Sequence, residues 1–92
     1  QKAIVIGSGF IGLEVAYYLR KLNIDVTIVE LLERPLGKAL DERGSRIVQK
    51  IFEERGIRFS FGNTVEEILG NGKVESVKLK SGEKTEAQLV VV

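Results

Sequence analysis

Cysteine, histidine, methionine and tryptophan are all absent from this 92-residue chain, and proline occurs once, as Pro35. Without cysteine there is no thiol nucleophile, redox disulfide or thiolate ligand; without histidine there is no imidazole base and no usual zinc set. No catalytic residue and no metal site are therefore expected. Excess charge is missing too: 14 basic against 13 acidic residues leave +1, with the signs interspersed. That balance gives no electrostatic footprint for nucleic acid or an anionic membrane. The chain also lacks an apolar run of membrane length and a signal-peptide pattern, so a cytoplasmic location is expected. With 43% apolar residues, a chain of this size supports one core that buries roughly 60–65% of its unfolded surface.

Glycine, by contrast, is plentiful, and three glycines are spaced G-x-G-x-x-G within Lys2-Ala-Ile-Val-Ile-Gly-Ser-Gly-Phe-Ile-Gly-Leu-Glu14. A β-branched run (Ile4, Val5, Ile6) precedes them, and Ile11, Val15, Ala16, Leu19 and Leu22 follow at helical spacing, so the stretch reads as strand, phosphate turn, helix. Gly7 permits the turn, Gly9 clears a path for a pyrophosphate, and Gly12 lets the helix press on the sheet. Unpaired backbone N–H groups at the helix start then receive the anion. Alone, the glycine pattern is weak evidence. It is strengthened by Val26-Thr-Ile-Val29, a second apolar run that ends at Glu30, roughly 20 residues past the last glycine. A carboxylate there is placed to take both ribose hydroxyls of an adenosine.

The rest of the chain fills in an α/β domain. The first helix is expected over about 10–21, its Ile11, Val15, Ala16, Leu19 and Leu22 inward and its Tyr17, Tyr18, Arg20 and Lys21 nearer the surface, closed by Asn23 in a left-handed cap. Leu31 to Leu40 form an irregular loop at the carboxyl end of strand two, with Leu31, Leu32, Leu36 and Leu40 expected as its packed floor. Asp41 caps a second helix over about 42–55, with Ile47, Ile51 and Phe52 facing inward and Gly56 ending it. Ile57 to Phe61 alternate as a third strand, with Arg58 and Ser60 toward water. Then the pattern changes to strands alone: 64–69, 73–80 and 83–88 are joined by Gly70-Asn71-Gly72 and Ser81-Gly82, the signals of an antiparallel three-stranded meander. Leu89-Val-Val-Val92 is fully apolar and is expected back beside strand one. The fold is thus a Rossmann-like βαβαβ parallel sheet of order 3-2-1-last with a β-meander, and the switch point lies above Gly7 and Gly9. Gln1 lies almost on the first strand and the last residues are still strand-like, so residues 1–92 are expected as a single domain excised from a larger protein.

These residues resemble the FAD-dependent pyridine nucleotide-disulfide oxidoreductases, specifically their inserted NAD(H)-binding domain, over nearly the whole chain. The resemblance rests on the glycine stretch, Val-Thr-Ile-Val-Glu30, Arg34-Pro35-Leu36 before Leu40-Asp41, Gly-Ile-Arg-Phe, Gly-Lys-Val and Ala-Gln-Leu-Val-Val-Val. It implies that NADH binds here, that its nicotinamide is presented for hydride transfer to FAD, and that the FAD, with the flavin-binding domain as partner, belongs to the remainder of the parent chain. The cofactor-binding residues are then Gly7, Ser8, Gly9, Phe10, Ile11, Gly12, Glu14 and Glu30. By resemblance Glu14 helps hold the nicotinamide half, the alternative being a first-turn glutamate favoured by the helix dipole. Phe10 matches an aromatic that shields the flavin, the alternative being a cover for the turn. Glu30 repels a 2′-phosphate, which favours NADH over NADPH. Turnover by the chain alone is not expected. Two other readings stay open: a stand-alone dinucleotide-binding or sensor module, and an adenosine site of the S-adenosylmethionine type, against which the strictness of Gly12 speaks.

Overall fold

The computed structural model describes all 92 residues, Gln1–Val92. Its strands are β1 (Lys2–Ile6), β2 (Asp25–Glu30), β3 (Arg58–Phe61), β4 (Val65–Leu69), β5 (Ser76–Leu79), β6 (Lys84–Glu86) and β7 (Leu89–Val91); its helices are α1 (Phe10–Lys21) and α2 (Glu42–Glu54). A four-stranded sheet of order β3-β2-β1-β7 is parallel throughout, and β4-β5-β6 form a separate antiparallel sheet. This is the α/β architecture expected from the pattern. No helix is long and apolar enough to cross a membrane.

Strand alternation decides what covers the parallel sheet. Ala3, Val5, Val26 and Ile28 project to one side and pack with Leu13, Ala16, Leu19 and Ile57 beneath the helices. Ile4 and Val29 project to the other, where Val77, Leu79 and Ala87 of the meander region close a second cluster. Because both faces are covered, β1 and β2 can be apolar almost without interruption. Each fully buried Ile or Leu in these clusters contributes about 1.5–3 kcal/mol relative to exposure.

The helix ends are set by local chemistry. Asp41 accepts from Gly44 N–H at 2.8 Å and caps α2. Both helices end on left-handed residues, Asn23 at φ +64° and Gly56 at φ +90°, each with the next N–H reaching back to the carbonyl five residues earlier: Ile24 to Leu19 and Ile57 to Phe52, both at 3.2 Å. The turns are also as expected, with Gly72 and Gly82 at positive φ.

The helix faces differ from expectation. In α1 the buried residues are Leu13, Ala16 and Leu19, whereas Ile11 is 78% exposed and Leu22 is exposed as well. At 100° per residue Ile11 and Leu22 lie on the side opposite Leu13 and Ala16, so the inward stripe is turned from the one anticipated. In α2 Ile47 and Ile51 are exposed, while Ser45 is fully buried and Val48 and Phe52 pack on the core. The 45, 48, 52 stripe wins over 47, 51. Leu31 and Leu32 are exposed rather than part of the loop floor, which is made by buried Pro35 and Leu36 with Leu40 packed alongside. Residues 73–75 lie outside the meander strands, β5 starting at Ser76, and Ser60 is half-buried because its hydroxyl accepts from Asn63 Nδ2 at 3.1 Å.

Asn63 ties the two sheets together. Its Nδ2 donates to the Ser60 and Ser81 hydroxyls at 3.1 and 3.3 Å, and its Oδ1 accepts from Thr64 and Ser81 N–H at 3.0 and 3.2 Å. Buried at 6% exposure, this amide is satisfied on every side.

Candidate functional site

The site grows from the carboxyl end of β1. Gly7 N–H continues the ladder to Val29 O at 2.8 Å, and then φ of +98° at Gly7 turns the chain out of the sheet, a conformation that only glycine adopts without strain. The helix follows at once. A Cβ on Gly12 would collide with the Gly7 carbonyl oxygen, so the third glycine is required by the fold itself. That removes the sequence-based argument that Gly12 speaks against a ligand without a pyrophosphate. Gly9 is different. It is the N-cap of α1, with φ −74° and ψ −176°, which any residue adopts, and a Cβ there meets nothing within 4 Å.

No side chain caps α1. The first backbone bond at this end runs from Leu13 N–H to Gly9 O at 3.0 Å, so the N–H groups of Phe10, Ile11 and Gly12 precede the helical ladder. They lie at the positive end of the helix dipole.

Glu30 stands at the end of β2 facing this turn. Its Oε1 accepts from Ser8 N–H at 2.8 Å and from the Ser8 hydroxyl at 2.5 Å, and its Oε2 accepts from Leu32 N–H at 2.8 Å. Burial raises the pKa of this carboxyl, but the hydrogen bonds from Leu32 N–H, the Ser8 hydroxyl, and Ser8 and Leu31 N–H together outweigh it and hold it below the ordinary value. Glu30 is therefore an anion. Ser8, 1% exposed, directs its side chain to Glu30 rather than into open space, and its carbonyl accepts from Leu36 N–H at 3.0 Å. Leu36 is held at φ +52°, an uncommon conformation for a bulky side chain that costs on the order of 1–2 kcal/mol.

Two clefts flank the glycine turn and share Gly7, Gly9 and Phe10. One, of about 320 Å³, lies between Glu30 and the loop at Leu31, Leu32 and Gly37–Ala39. The other, of about 490 Å³, lies on the β7 side among Val5, Ile11, Val15, Val91 and Val92. The turn is thus the saddle between a compartment that carries Glu30 and Lys38 and an apolar one. Of the residues anticipated from sequence, Gly7, Ser8, Gly9, Phe10, Ile11, Gly12 and Glu30 come together here. Glu14 does not. It is the fifth residue of α1, beyond the first turn, exposed, and it lines neither cleft, so the dipole-based alternative for it falls away.

Sequence reasoning missed Lys38, which lines the Glu30 cleft; only the fold of the loop brings a cation eight positions on into that cleft. Arg34, the nearer cation in sequence, bonds the Gly37 and Leu40 carbonyls at 3.3 Å each and braces the loop.

Comparison with known proteins matches residues 2–85 to the family described as pyridine nucleotide-disulphide oxidoreductase. The chain belongs to that family. Among its relatives, the nitrite reductase [NAD(P)H] of Bacillus subtilis is 38% identical over 92 residues, which are 100% of this chain and 11% of that protein. The crystal structure of a ferredoxin reductase from Rhodopseudomonas palustris superposes with a TM-score of 0.96 at 34% identity, covering 100% of this chain and 23% of that one. An FAD-dependent pyridine nucleotide-disulphide oxidoreductase from Desulfovibrio vulgaris superposes with a TM-score of 0.92 at 32% identity, covering 99% and 23%. Pyridine nucleotide-disulphide oxidoreductases of this kind are flavin-dependent NAD(P)H enzymes, and the chain spans between about a tenth and a quarter of the length of these relatives.

Proposed function

We propose that this chain is the NADH-binding domain of a larger flavoprotein, and that it presents the nicotinamide for hydride transfer to FAD held by a partner domain. Gly9 carries the reading. The backbone there suits any residue and a side chain would meet no protein atom, so the missing Cβ serves something that is not part of the fold. A pyrophosphate lying over Gly9 toward the free N–H groups of Phe10 and Ile11 supplies that reason.

In this reading the adenosine occupies the compartment beside Glu30, with Leu31 and Leu32 against the base and the carboxylate toward the ribose. The nicotinamide half crosses the saddle to the apolar side near Phe10, Ile11 and Val91. A nucleotide held here would supply hydride chemistry toward a flavin, and the contribution of this chain would be position and charge, from the α1 N-terminus and Glu30. Glu14 and Phe10 toward the nicotinamide and flavin rest on the family resemblance. The anionic Glu30 disfavours a 2′-phosphate and Arg34 is occupied by loop carbonyls; Lys38 is the cation that lines the same cleft, so the preference for NADH over NADPH requires the repulsion from Glu30 to outweigh it.

Parallel calorimetric titration of the chain with NADH, NADPH, FAD and S-adenosylmethionine tests this. Binding led by NADH is expected; binding led by S-adenosylmethionine or FAD would replace the proposal. In the same assay Glu30→Arg is expected to weaken NADH and strengthen NADPH, and an unchanged preference would remove Glu30 from the ribose.

A further inference from the structure

The chain has three asparagines, Asn23, Asn63 and Asn71, and the fold protects only two of them. Asn63 is buried, with both polar atoms of its amide bonded. Asn23 is the left-handed residue that ends α1, and the nitrogen that follows it, of Ile24, donates to Leu19 O at 3.2 Å and carries a β-branched side chain. Asn71 has neither kind of protection. It lies in the connection from β4 to β5, which is closed by Glu75 N–H donating to Leu69 O at 2.8 Å, and no hydrogen bond reaches residues 70–74 inside that closure. Asn71 and Gly72 are both exposed. Gly72 has φ +85°, and a Cβ built on it would meet nothing within 4 Å, so the peptide after Asn71 carries no side chain and has open space around it.

We propose that Asn71 is a modification site at which the chain deamidates itself, with water as the co-reactant. The Gly72 backbone nitrogen loses its proton and attacks Cγ of Asn71. A bond forms between them, the Cγ–Nδ2 bond breaks, and ammonia leaves with the displaced proton, which closes a five-membered succinimide. Water then opens the ring. Addition at Cγ gives aspartate in the normal chain; addition at the Asn71 backbone carbonyl carbon gives isoaspartate, whose backbone runs through Cβ and Cγ and is one atom longer. Nothing is oxidised or reduced. The nitrogen has only to approach Cγ, and here no hydrogen bond must break first and no side chain at Gly72 stands in the way. The new carboxylate falls away from the glycine turn, because Lys73 and Val74 border a cleft with Gln1, at the end of β1 opposite Gly7.

The test follows the purified chain at mildly alkaline pH, folded and in denaturing urea, with peptide mapping by mass spectrometry and enzymatic methylation of isoaspartyl carboxyls as readouts. Asn71 in the folded chain is expected to convert within about threefold of its rate in urea, whereas Asn63 and Asn23, held by hydrogen bonds, slow by roughly tenfold or more on folding. Asn71→Gln lengthens the side chain and disfavours the five-membered ring, so it is expected to remove the isoaspartate signal from the folded chain.

Slowing of Asn71 by about tenfold or more on folding overturns the proposal, since the loop then keeps the amide from its nucleophile. An isoaspartate signal that persists in folded Asn71→Gln overturns it too, because the modification then belongs to another residue. The comparison of the wild-type chain with itself in urea decides the matter without any variant.

Discussion

The glycine turn and the Asn63 junction are both built from short polar backbone segments at strand ends, yet they differ in what they leave unmet. At Asn63 every donor and acceptor of the side-chain amide has a partner, and the group is buried. At the turn, space stands open over Gly9 and the first N–H groups of α1 precede any helical bond. Capacity already met holds a fold together, and capacity left unmet is available to a ligand. The same distinction separates two glycines three residues apart: a side chain at Gly12 would strike the Gly7 carbonyl, whereas one at Gly9 would strike no protein atom.

That contrast can be broken in order of expected effect. Gly12→Val forces a side chain into the Gly7 carbonyl, and a loss of more than about 3 kcal/mol, enough to unfold a small domain, is expected in urea denaturation. Wild-type stability would show that the turn yields easily and that Gly12 is not a steric requirement. Gly9→Val reverses the pattern. Its unfolding free energy should fall by no more than about 1–2 kcal/mol, the cost of a poor residue at the α1 N-cap, while NADH affinity falls by roughly 100-fold or more, because the added branches would occupy the proposed phosphate position. Retained affinity in titration would place the pyrophosphate elsewhere.

Asn63→Ala sharpens the other side of the comparison. Removing a buried, fully paired amide leaves the Thr64 and Ser81 N–H groups without their acceptor, with an expected cost of about 2–3 kcal/mol, and NADH affinity in the surviving folded fraction should not change. The smallest effect is electrostatic. The carboxyl of Glu30 is held below its ordinary pKa, so its contribution to stability is present above that value and is lost as the pH falls through the folded-state pKa. The thermal midpoint of the wild type should therefore fall more steeply below about pH 4.5 than that of Glu30→Gln, and parallel curves for the two would show that Ser8 and Leu32 give the ionised form no advantage.

Legibility in the sequence follows the range of the forces involved. Strand order, the caps at Asp41 and Gly56, the turns and the approach of Glu30 to the glycines all follow from local chemistry and one topological rule. The helix faces did not. In α2, residues 47, 48, 51 and 52 offer two apolar stripes about 100° apart, and the choice between them belongs to the sheet beneath, which buries Ser45 and leaves Ile47 55% exposed. Lys38 escaped for a related reason, since its place in the Glu30 cleft depends on the path of the loop. Ser8 was legible as a neighbour of the phosphate turn but not as the partner of Glu30, 22 residues away.

Leu36 gives the loop a thermodynamic role. Its left-handed backbone, its buried side chain and its bond to the Ser8 carbonyl fix residues 31–40 against the turn, and Gly62 N–H holds Leu32 O at 3.0 Å from the far side. The conformational entropy of this wall is therefore lost when the chain folds, not when a ligand arrives. In the proposed reading a nucleotide would meet a compartment already in shape, and its association would need no closing step on the adenosine side.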